Sequence, residues 1–157
     1  MRIAIISSPD CFTFTQHRLK GINKRFSEIG IELDHKLVLS GDLTQRGGYQ
    51  KAQVLLDMQQ IPTAVIAGND LMAFGAMSAA QERDLIVGKD ISITGFDDIP
   101  MAEHSHPSLT TINQPIYSIG RTLSNMLVKI ISGEKLAEPQ VILSPKLITR
   151  GSSGPRA

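Results

Sequence analysis

The 157 residues include 16 Lys or Arg and 15 Asp or Glu, and 41% are hydrophobic while 20% are charged. This composition predicts one soluble globular domain with a substantial core, and it argues against a disordered chain. The near balance of charge gives no general attraction to nucleic acid or to an anionic membrane, and no apolar run approaches the roughly 20 residues that a membrane span needs.

The chain begins with a strand pattern that is followed by a long helix pattern. Met1 leads directly into the apolar residues 3–6, without the apolar core and cleavage site of a signal peptide, so none is predicted. The only cysteine, Cys11, excludes an intrachain disulfide and fits a reducing compartment. Thr15 is a candidate N-cap for a helix that Gly30 is expected to end.

Short apolar runs alternate with segments of helical periodicity along the whole chain. The predicted strands are residues 3–6, 36–39, 63–67, 91–95, 108–112, 141–143 and 146–149. The predicted helices are residues 15–30, 47–58, 71–83 and 115–131, with an irregular segment at 99–107 and a disordered tail from Gly151. This alternation across short loops predicts right-handed βαβ units, and therefore an α/β fold with a parallel, Rossmann-like sheet flanked by helices.

Two of the predicted helices carry apolar surfaces that need cover. The helix at 71–83 is apolar on more than one face, which favours a sheet on one side and a partner on the other. Together with Leu85 it is a candidate dimer face, and packing inside the domain is the alternative. Pro115 suits the first turn of the longest helix. That helix carries an apolar stripe that includes Ile119, Leu123, Met126 and Ile130.

The segment 91–98 is the strongest candidate for a functional site. Its apolar start predicts a strand buried on both faces, and Gly95 is expected to let the backbone turn as the strand ends. Asp97 then follows the carboxyl end of the strand, where open α/β sheets bind ligands. Arg18 and Asn69, near the starts of their helices, are expected at the same edge, where the three side chains would bind sugar or polyol hydroxyls.

Simpler interpretations of these residues stay open. Arg18 is also explained as a solvated helix residue, and Asn69 with Asp70 as helix-capping residues. Asp97 and Asp98 could hold Mg²⁺ in a phosphoryl-transfer enzyme, but the chain has neither a GxxxxGK[ST] nor a GxGxxG phosphate-binding motif, and no GxSxG nucleophile motif.

Metal and thiol chemistry have still less support. His104 and His106 alternate in a loop without a cysteine nearby, which is weak evidence for a metal site. Cys11 lies six residues before His17, and nothing around it indicates an activated thiol. We therefore predict no metal, no cofactor and no enzymatic activity.

Six motifs resemble, in order and spacing, the signatures of lactose/galactose-repressor-type bacterial transcription regulators. They are RLKG (18–21), GD (41–42), PTAVIAGNDLMAFGA (62–76), ISITGFDDIP (91–100), PSLTTINQP (107–115) and LITRGS (147–152). The agreement runs from Arg2 to about Ser152. The resemblance implies a periplasmic-binding-protein-like effector domain, in which two α/β subdomains close around a small molecule, usually a sugar or a nucleoside.

The resemblance also implies which side chains contact the effector. These are Arg18, Asn69, Asp97 and Gln114, together with Leu43 and Phe14. Leu43 stands where the family often has an aromatic residue that stacks on the ligand. Phe12 and Phe14 stand where members carry polar or charged contacts, which argues against a phosphate or a highly charged effector.

The function implied by the resemblance is effector sensing by a bacterial transcriptional regulator, most simply a repressor. Residues 1–152 correspond mainly to the C-terminal subdomain, and the helix-turn-helix headpiece, the hinge helix and most of the first subdomain are missing. In the family the longest helix packs on the first subdomain, so its apolar stripe is expected to be exposed along Ile119, Leu123, Met126 and Ile130. Operator DNA would bind through that headpiece in a cytoplasmic homodimer, and no membrane partner is expected. The alternative is a fragment of a periplasmic sugar-binding transport protein, although the LTTxxQP and LxxRxS motifs favour the regulator.

Overall fold

A computed structural model describes residues 2–155. Its strands are β1 (Ile3–Ser7), β2 (Val38–Ser40), β3 (Ala64–Ala67), β4 (Ser92–Thr94), β5 (Thr111–Asn113) and β6 (Lys146–Ile148). Its helices are α1 (Thr13–Glu28), α2 (Gln45–Leu56), α3 (Asp70–Gln81), α4 (Met101–His104) and α5 (Ile116–Ile131), and a 3-10 turn at His35–Leu37 precedes β2. Among these described residues, no helix has the length and apolar character that crossing a membrane requires.

The central sheet has four parallel strands in the order β2-β1-β3-β4. β1 lies in the middle, where Ile5 pairs with Val38 of β2 and Ala4 pairs with Val65 of β3. α1, α2 and α3 connect the four strands in turn. The predicted α/β fold with a parallel sheet flanked by helices is therefore confirmed.

The antiparallel pair β5–β6 lies beside the end of β4. Parallel bridges join Thr94 to Thr110 and Asp97 to Asn113. The backbone N–H of Asp97 donates to the carbonyl oxygen of Ile112 at 3.0 Å. The segment that leaves β4 is thus attached to β5 at the point where it departs from the sheet.

α3 is buried along nearly its whole length because it lies between the sheet and α2. Gly48 and Gly75 allow the two helices to meet backbone to backbone, since a Cβ added to Gly75 would lie 2.0 Å from the carbonyl oxygen of Gln45. The predicted cover on two sides is confirmed, with α2 of the same chain as the second cover. Packing inside the domain accounts for its buried faces, and Leu71 is its exposed large apolar residue.

α5 has no buried residue. Leu123 and Ile130 are 60% and 57% exposed, which confirms the predicted exposed stripe at these two positions. Ile119 and Met126 are half-buried beside residues 139–143. Burying a large apolar side chain contributes about 1.5–3 kcal/mol, and α5 leaves most of this stabilisation unused within residues 2–155.

Two helix predictions need correction: the start of α1 and the absence of a helix in residues 99–107. α1 begins two residues before Thr15, with Phe12 at the N-cap position and no side-chain capping bond. Thr15 is instead buried inside the first turn. The end of α1 agrees with the prediction, because Gly30 follows it with a φ of 70°. The segment predicted as irregular contains the short helix α4, since the hydrogen bond from Ala102 N to Ile99 O starts a turn there.

Two predictions near the C-terminus are wrong. Residues 141–143 form no strand, because they lie along α5 and pair with no sheet edge among the described residues. Gly151 and Ser152 are not a disordered tail. Ser152 is fully buried, and its hydroxyl donates to the carbonyl oxygen of Ile93 at 2.6 Å and accepts from the N–H of Thr110 at 2.8 Å. Of the remaining tail, residues 156–157 lie outside the described residues.

Candidate functional site

Arg18 lies over aromatic rings at the carboxyl edge of the sheet. Its Nη1 donates to the carbonyl oxygen of Gly68 at 2.9 Å, just after β3. Its guanidinium carbon is 3.5 Å from the ring centroid of Phe96 and 4.9 Å from that of Phe14. Burial lowers the pKa of Arg18, and the charge of Asp97 opposes this effect. Arg18 stays a cation at neutral pH, and its position is fixed by one backbone acceptor and two rings.

Asp97 is held at the same edge with its carboxylate half-buried. Gln114 Nε2 donates to Asp97 Oδ1 at 2.7 Å. Burial raises the pKa of Asp97; the Gln114 bond lowers it, Asp70 raises it and Arg18 lowers it. No direct ion pair joins Arg18 to Asp97 among the described residues, although each charge affects the other's pKa. A donor and an acceptor thus face the same region without neutralising each other.

The turn that carries Asp97 has an unfavourable backbone. Asp97 has a φ of 120° and Asp98 a φ of 56°, and non-glycine residues in such regions cost about 1–3 kcal/mol each. Gly95, which was expected to make the turn, does not have a positive φ. A Cβ added to Gly95 would lie 2.2 Å from Asp70 Oδ1. A glycine is therefore needed here because its backbone lies close to the Asp70 side chain, and the turn is formed by Asp97 and Asp98.

Asp98 turns away from the candidate site and forms a buried ion pair. Its Oδ1 lies 2.8 Å from Arg150 Nη1, and the two side chains are only 14% and 16% exposed. Its Oδ2 accepts from Asn113 Nδ2 at 2.8 Å. Both carboxylate oxygens are therefore occupied, which disfavours the interpretation of Asp97 and Asp98 as a joint Mg²⁺ site.

Both polar atoms of the Asn69 carboxamide form a hydrogen bond within the fold. Its Oδ1 accepts from the N–H of Met72 at 2.9 Å, which is the predicted N-cap of α3. Its Nδ2 donates to the carbonyl oxygen of Leu43 at 3.0 Å, and Leu43 is held with a φ of 69°. The capping interpretation is confirmed for Asn69 only, because Asp70 is the first residue of α3 and its carboxylate accepts from Ile99 and Thr111. Direct contact of Asn69 with an effector stays a prediction, for which the carboxamide keeps a second N–H and a second lone pair.

Phe12 and Phe14 form an aromatic pair beside Arg18. Their ring centroids are 5.1 Å apart with an interplanar angle of 10°, and each side chain remains 39% exposed. Stacked rings present a flat apolar surface to which a planar group can add. Because Phe14 also contacts the guanidinium of Arg18, this surface is continuous with the polar edge that holds Asp97.

A cavity of about 420 Å³ lies between α1 and the sheet. Arg18 is the one predicted site residue that lines it, and eight of the other sixteen lining residues have apolar side chains, seven of them on α1 and the strands. The buried hydroxyl of Thr15 also lines it, with no hydrogen-bond partner among the described residues. The cavity therefore extends away from Asp97 and Gln114, and the polar chemistry lies at its edge.

Comparison with known proteins identifies the family of this chain. Residues 1–153 match the family model of the periplasmic binding protein-like domain. The chain belongs to this family. The HTH-type transcriptional repressor CytR of Escherichia coli (strain K12) is 38% identical over 152 residues, which cover 97% of this chain and 45% of that protein. The chain thus spans about half the length of the curated relatives it matches.

Solved structures give the same assignment for this periplasmic-binding-protein-like domain. A complex of the transcriptional regulator CelR with cellobiose has a TM-score of 0.91 at 34% identity, covering 97% of this chain and 46% of that one. The lac repressor dimer bound to operator and the anti-inducer ONPF has a TM-score of 0.90 at 30% identity, covering 98% and 53%. The predicted resemblance to lactose-repressor-type regulators is confirmed, and the similar proteins are regulators rather than enzymes.

Sequence reasoning missed two charged residues that shape the site of this domain. Arg150 lies in the LITRGS motif, and its ion pair with Asp98 was not predicted. Asp70 is fully buried and accepts from the N–H of Ile99 at 2.9 Å and from the hydroxyl of Thr111. Within residues 2–155, no cluster of three or more His, Cys, Asp or Glu could hold a metal.

Proposed function

We propose that this chain binds a small effector, a sugar or a nucleoside, at the edge formed by Arg18, Asp97 and Gln114. The observation that carries the proposal is the half-buried carboxylate of Asp97, which is fixed by Gln114 through Oδ1 while its Oδ2 accepts no bond from residues 2–155. An oriented carboxylate oxygen accepts from a hydroxyl, and the guanidinium donates to a neighbouring oxygen. This combination suits a ligand that carries adjacent hydroxyl groups.

The aromatic pair narrows the class of effector. Phe12 and Phe14 offer stacking surface beside the polar edge, and they provide no donor for a phosphate. A nucleoside, which joins a planar base to a hydroxylated ring, would use both surfaces. A sugar would use the polar edge and pack its apolar face on the rings, as aromatic side chains can accommodate either.

In the complete protein, effector binding would control operator binding. The similar proteins are repressors, which favours regulation and disfavours the alternative of a transport-protein fragment. A ligand that binds two arrangements of the protein unequally shifts their populations by that difference alone. We propose that the arrangement of two headpieces in a cytoplasmic homodimer, contributed by parts outside this chain, changes in this way and alters the fit to a two-fold operator.

A ligand panel tests the effector site. The probes are D-ribose, D-galactose, cellobiose and the four common ribonucleosides, with binding measured by calorimetry and thermal shift on the 157-residue chain. We expect at least one probe to bind and Asp97→Asn to abolish its binding. Asp57→Asn is the matched control, because Asp57 is an exposed aspartate at the end of α2. Binding that survives Asp97→Asn, or a panel without any binding, would refute the proposed site.

The regulatory part has its own test. In a version of the protein that includes its headpiece, the panel member that binds should change operator affinity. Operator DNA should change the affinity for that compound by the same factor, because the coupling free energy is reciprocal. Equal operator affinity with and without the compound would leave effector binding intact but would refute its link to DNA.

A further inference from the structure

The two adjacent aspartates of the GFDD motif point to different partners. Asp97 meets Gln114 at the candidate effector edge, whereas Asp98 meets Arg150 and Asn113 in a buried pocket on the other side of the turn. Since both residues have positive φ, the local backbone does not favour this turn on its own. Unfavourable backbone conformations persist only where surrounding contacts hold them.

Arg150 also forms hydrogen bonds to residues other than Asp98. Its backbone N–H donates to Thr110 Oγ1 at 2.8 Å, and Thr110 Oγ1 donates to the carbonyl oxygen of Arg150 at 3.1 Å. The Nη1 of Arg150 also donates to the carbonyl oxygen of Leu109 at 2.8 Å. The guanidinium therefore connects the segment before β5 to the aspartate turn after β4. A flexible cation that only neutralised charge would not need these additional bonds.

The bonds on Asp98 and Asp97 converge on β5. Asn113 Nδ2 donates to Asp98 Oδ2, while Asn113 pairs with Asp97 in the bridge that joins β5 to the turn. Gln114, the next residue, supplies the donor to Asp97. A movement of Asp98 relative to β5 would therefore change the position of Asp97 relative to Gln114.

We propose that Arg150 and Asp98 form a positioning ion pair that sets the orientation of the Asp97 carboxylate. Arg150 then determines effector affinity without touching the effector. The affinity part rests on the proposed effector function, whereas the positioning itself is a property of the unliganded chain. The ion pair gives the LITRGS motif a role at the opposite end of the sequence from the first predicted contact, Arg18.

The first test needs no effector. The chain is labelled with ¹³C at aspartate carboxyl groups, and the pKa of Asp97 is measured by NMR titration. In Arg150→Lys, which keeps the charge but loses the fork of donors, we expect the Asp97 titration to move towards that of an ordinary aspartate and the Gln114 side-chain amide signal to shift. Asp98→Asn should move the same two signals.

The control is the ion pair between Arg83, just after α3, and Asp57, just after α2, whose Nη2 and Oδ1 lie 2.6 Å apart. Arg83→Lys should leave the Asp97 and Gln114 signals unchanged. If Arg150→Lys only lowers thermal stability while both signals stay in place, Arg150 is structural and the proposal fails. If Arg150→Lys does not fold, Asp98→Asn alone decides, because it keeps an oxygen that can accept from Asn113.

The second test uses the panel member whose binding depends on Asp97. We expect Arg150→Lys to weaken that binding by about 10-fold, the lower end of the loss that follows when a metal-binding side chain loses its supporting partner. Arg83→Lys, which removes the same fork of donors from the ion pair with Asp57, should leave that binding unchanged. Unchanged binding in Arg150→Lys, or an equal loss in the two variants, would refute positioning. A panel without any binder would refute the proposed function, while the NMR test of positioning would still stand.

Discussion

α3 and α5 are two apolar helices of one chain, and they differ in how much of their surface the rest of the chain buries. α3 lies between the sheet and α2 and is buried along nearly its whole length, whereas α5 has no buried residue. The difference arises from close backbone approach, since Gly75 and Gly48 let α2 reach α3, while α5 lies mainly against the irregular residues 139–143. Apolar periodicity predicts which face of a helix is stabilised by burial. Whether another segment of the chain packs against that face depends on how closely the backbones can approach.

The largest expected contrast is between one side chain on each helix. Met77 of α3 is 4% exposed and Leu127 of α5 is 57% exposed. Met77→Ala should lower the free energy of unfolding by about 2–5 kcal/mol through lost burial and a cavity. Leu127→Ala should change it by less than about 0.5 kcal/mol. Urea unfolding followed by circular dichroism measures both values, and similar losses at the two sites would show that α5 is covered in solution.

Glycine substitutions give a second contrast with opposite signs. Gly75→Ala should destabilise the chain by about 1–3 kcal/mol, because its Cβ would meet the backbone of α2. Gly120→Ala on α5 has open space around the new Cβ and should stabilise the helix by about 0.5–1 kcal/mol. Thermal unfolding of the two variants beside the parent chain measures the difference. A destabilising Gly120→Ala would mean that α5 has a close neighbour.

The exposed stripe predicts self-association of the 157-residue chain at micromolar concentration. Replacing Leu123 and Ile130 together by lysine should lower the association constant at least about 10-fold, or 1.4 kcal/mol, because the contact loses apolar area and gains repulsion. Val54→Lys on α2 is the control, since Val54 is 52% exposed on a different face. Sedimentation velocity over a range of concentrations measures this. A parent chain that stays monomeric would contradict the prediction.

The smallest expected effect is the pH dependence of the unfolding free energy that is due to Asp97, whose carboxylate is half-buried. Burial raises its pKa in the folded state, so the folded state retains the proton at a pH where the unfolded state has lost it. This contribution to stability is present below the unfolded pKa and is lost as pH rises through the folded one. Asp97→Asn should remove this decline, which urea unfolding at several pH values measures.

Effector binding should depend on pH in the opposite direction. Only the carboxylate form of Asp97 accepts from two hydroxyls, so binding should weaken as pH falls through its raised pKa, at a higher pH than for an ordinary aspartate. Calorimetry with the bound panel member measures this change. Affinity that is constant through that titration would remove Asp97 from the site.

Much of the architecture was predictable from local patterns. Short apolar runs rich in β-branched residues predicted the four parallel strands, and Asn69 predicted the cap of α3. The exposed face of α5 followed from the family resemblance, because the subdomain that covers this helix in the family is missing. The start of α1 was not predictable from Thr15, because Phe12 occupies the cap position without a side-chain bond. The burial of Ser152 was not predictable either, since its partners Ile93 and Thr110 lie about 40–60 residues away in sequence.

The sequence by itself determined which residues could form the site: a cation in α1, a carboxylate after β4 and amides on neighbouring segments. The tertiary structure decided which of them remain available. It uses both groups of Asn69 in capping α3 and holding Leu43, and it turns Asp98 towards Arg150 while Asp97 faces the edge. The physical reason is that residue type sets what a group can bond, whereas the fold sets which partners come within hydrogen-bonding distance.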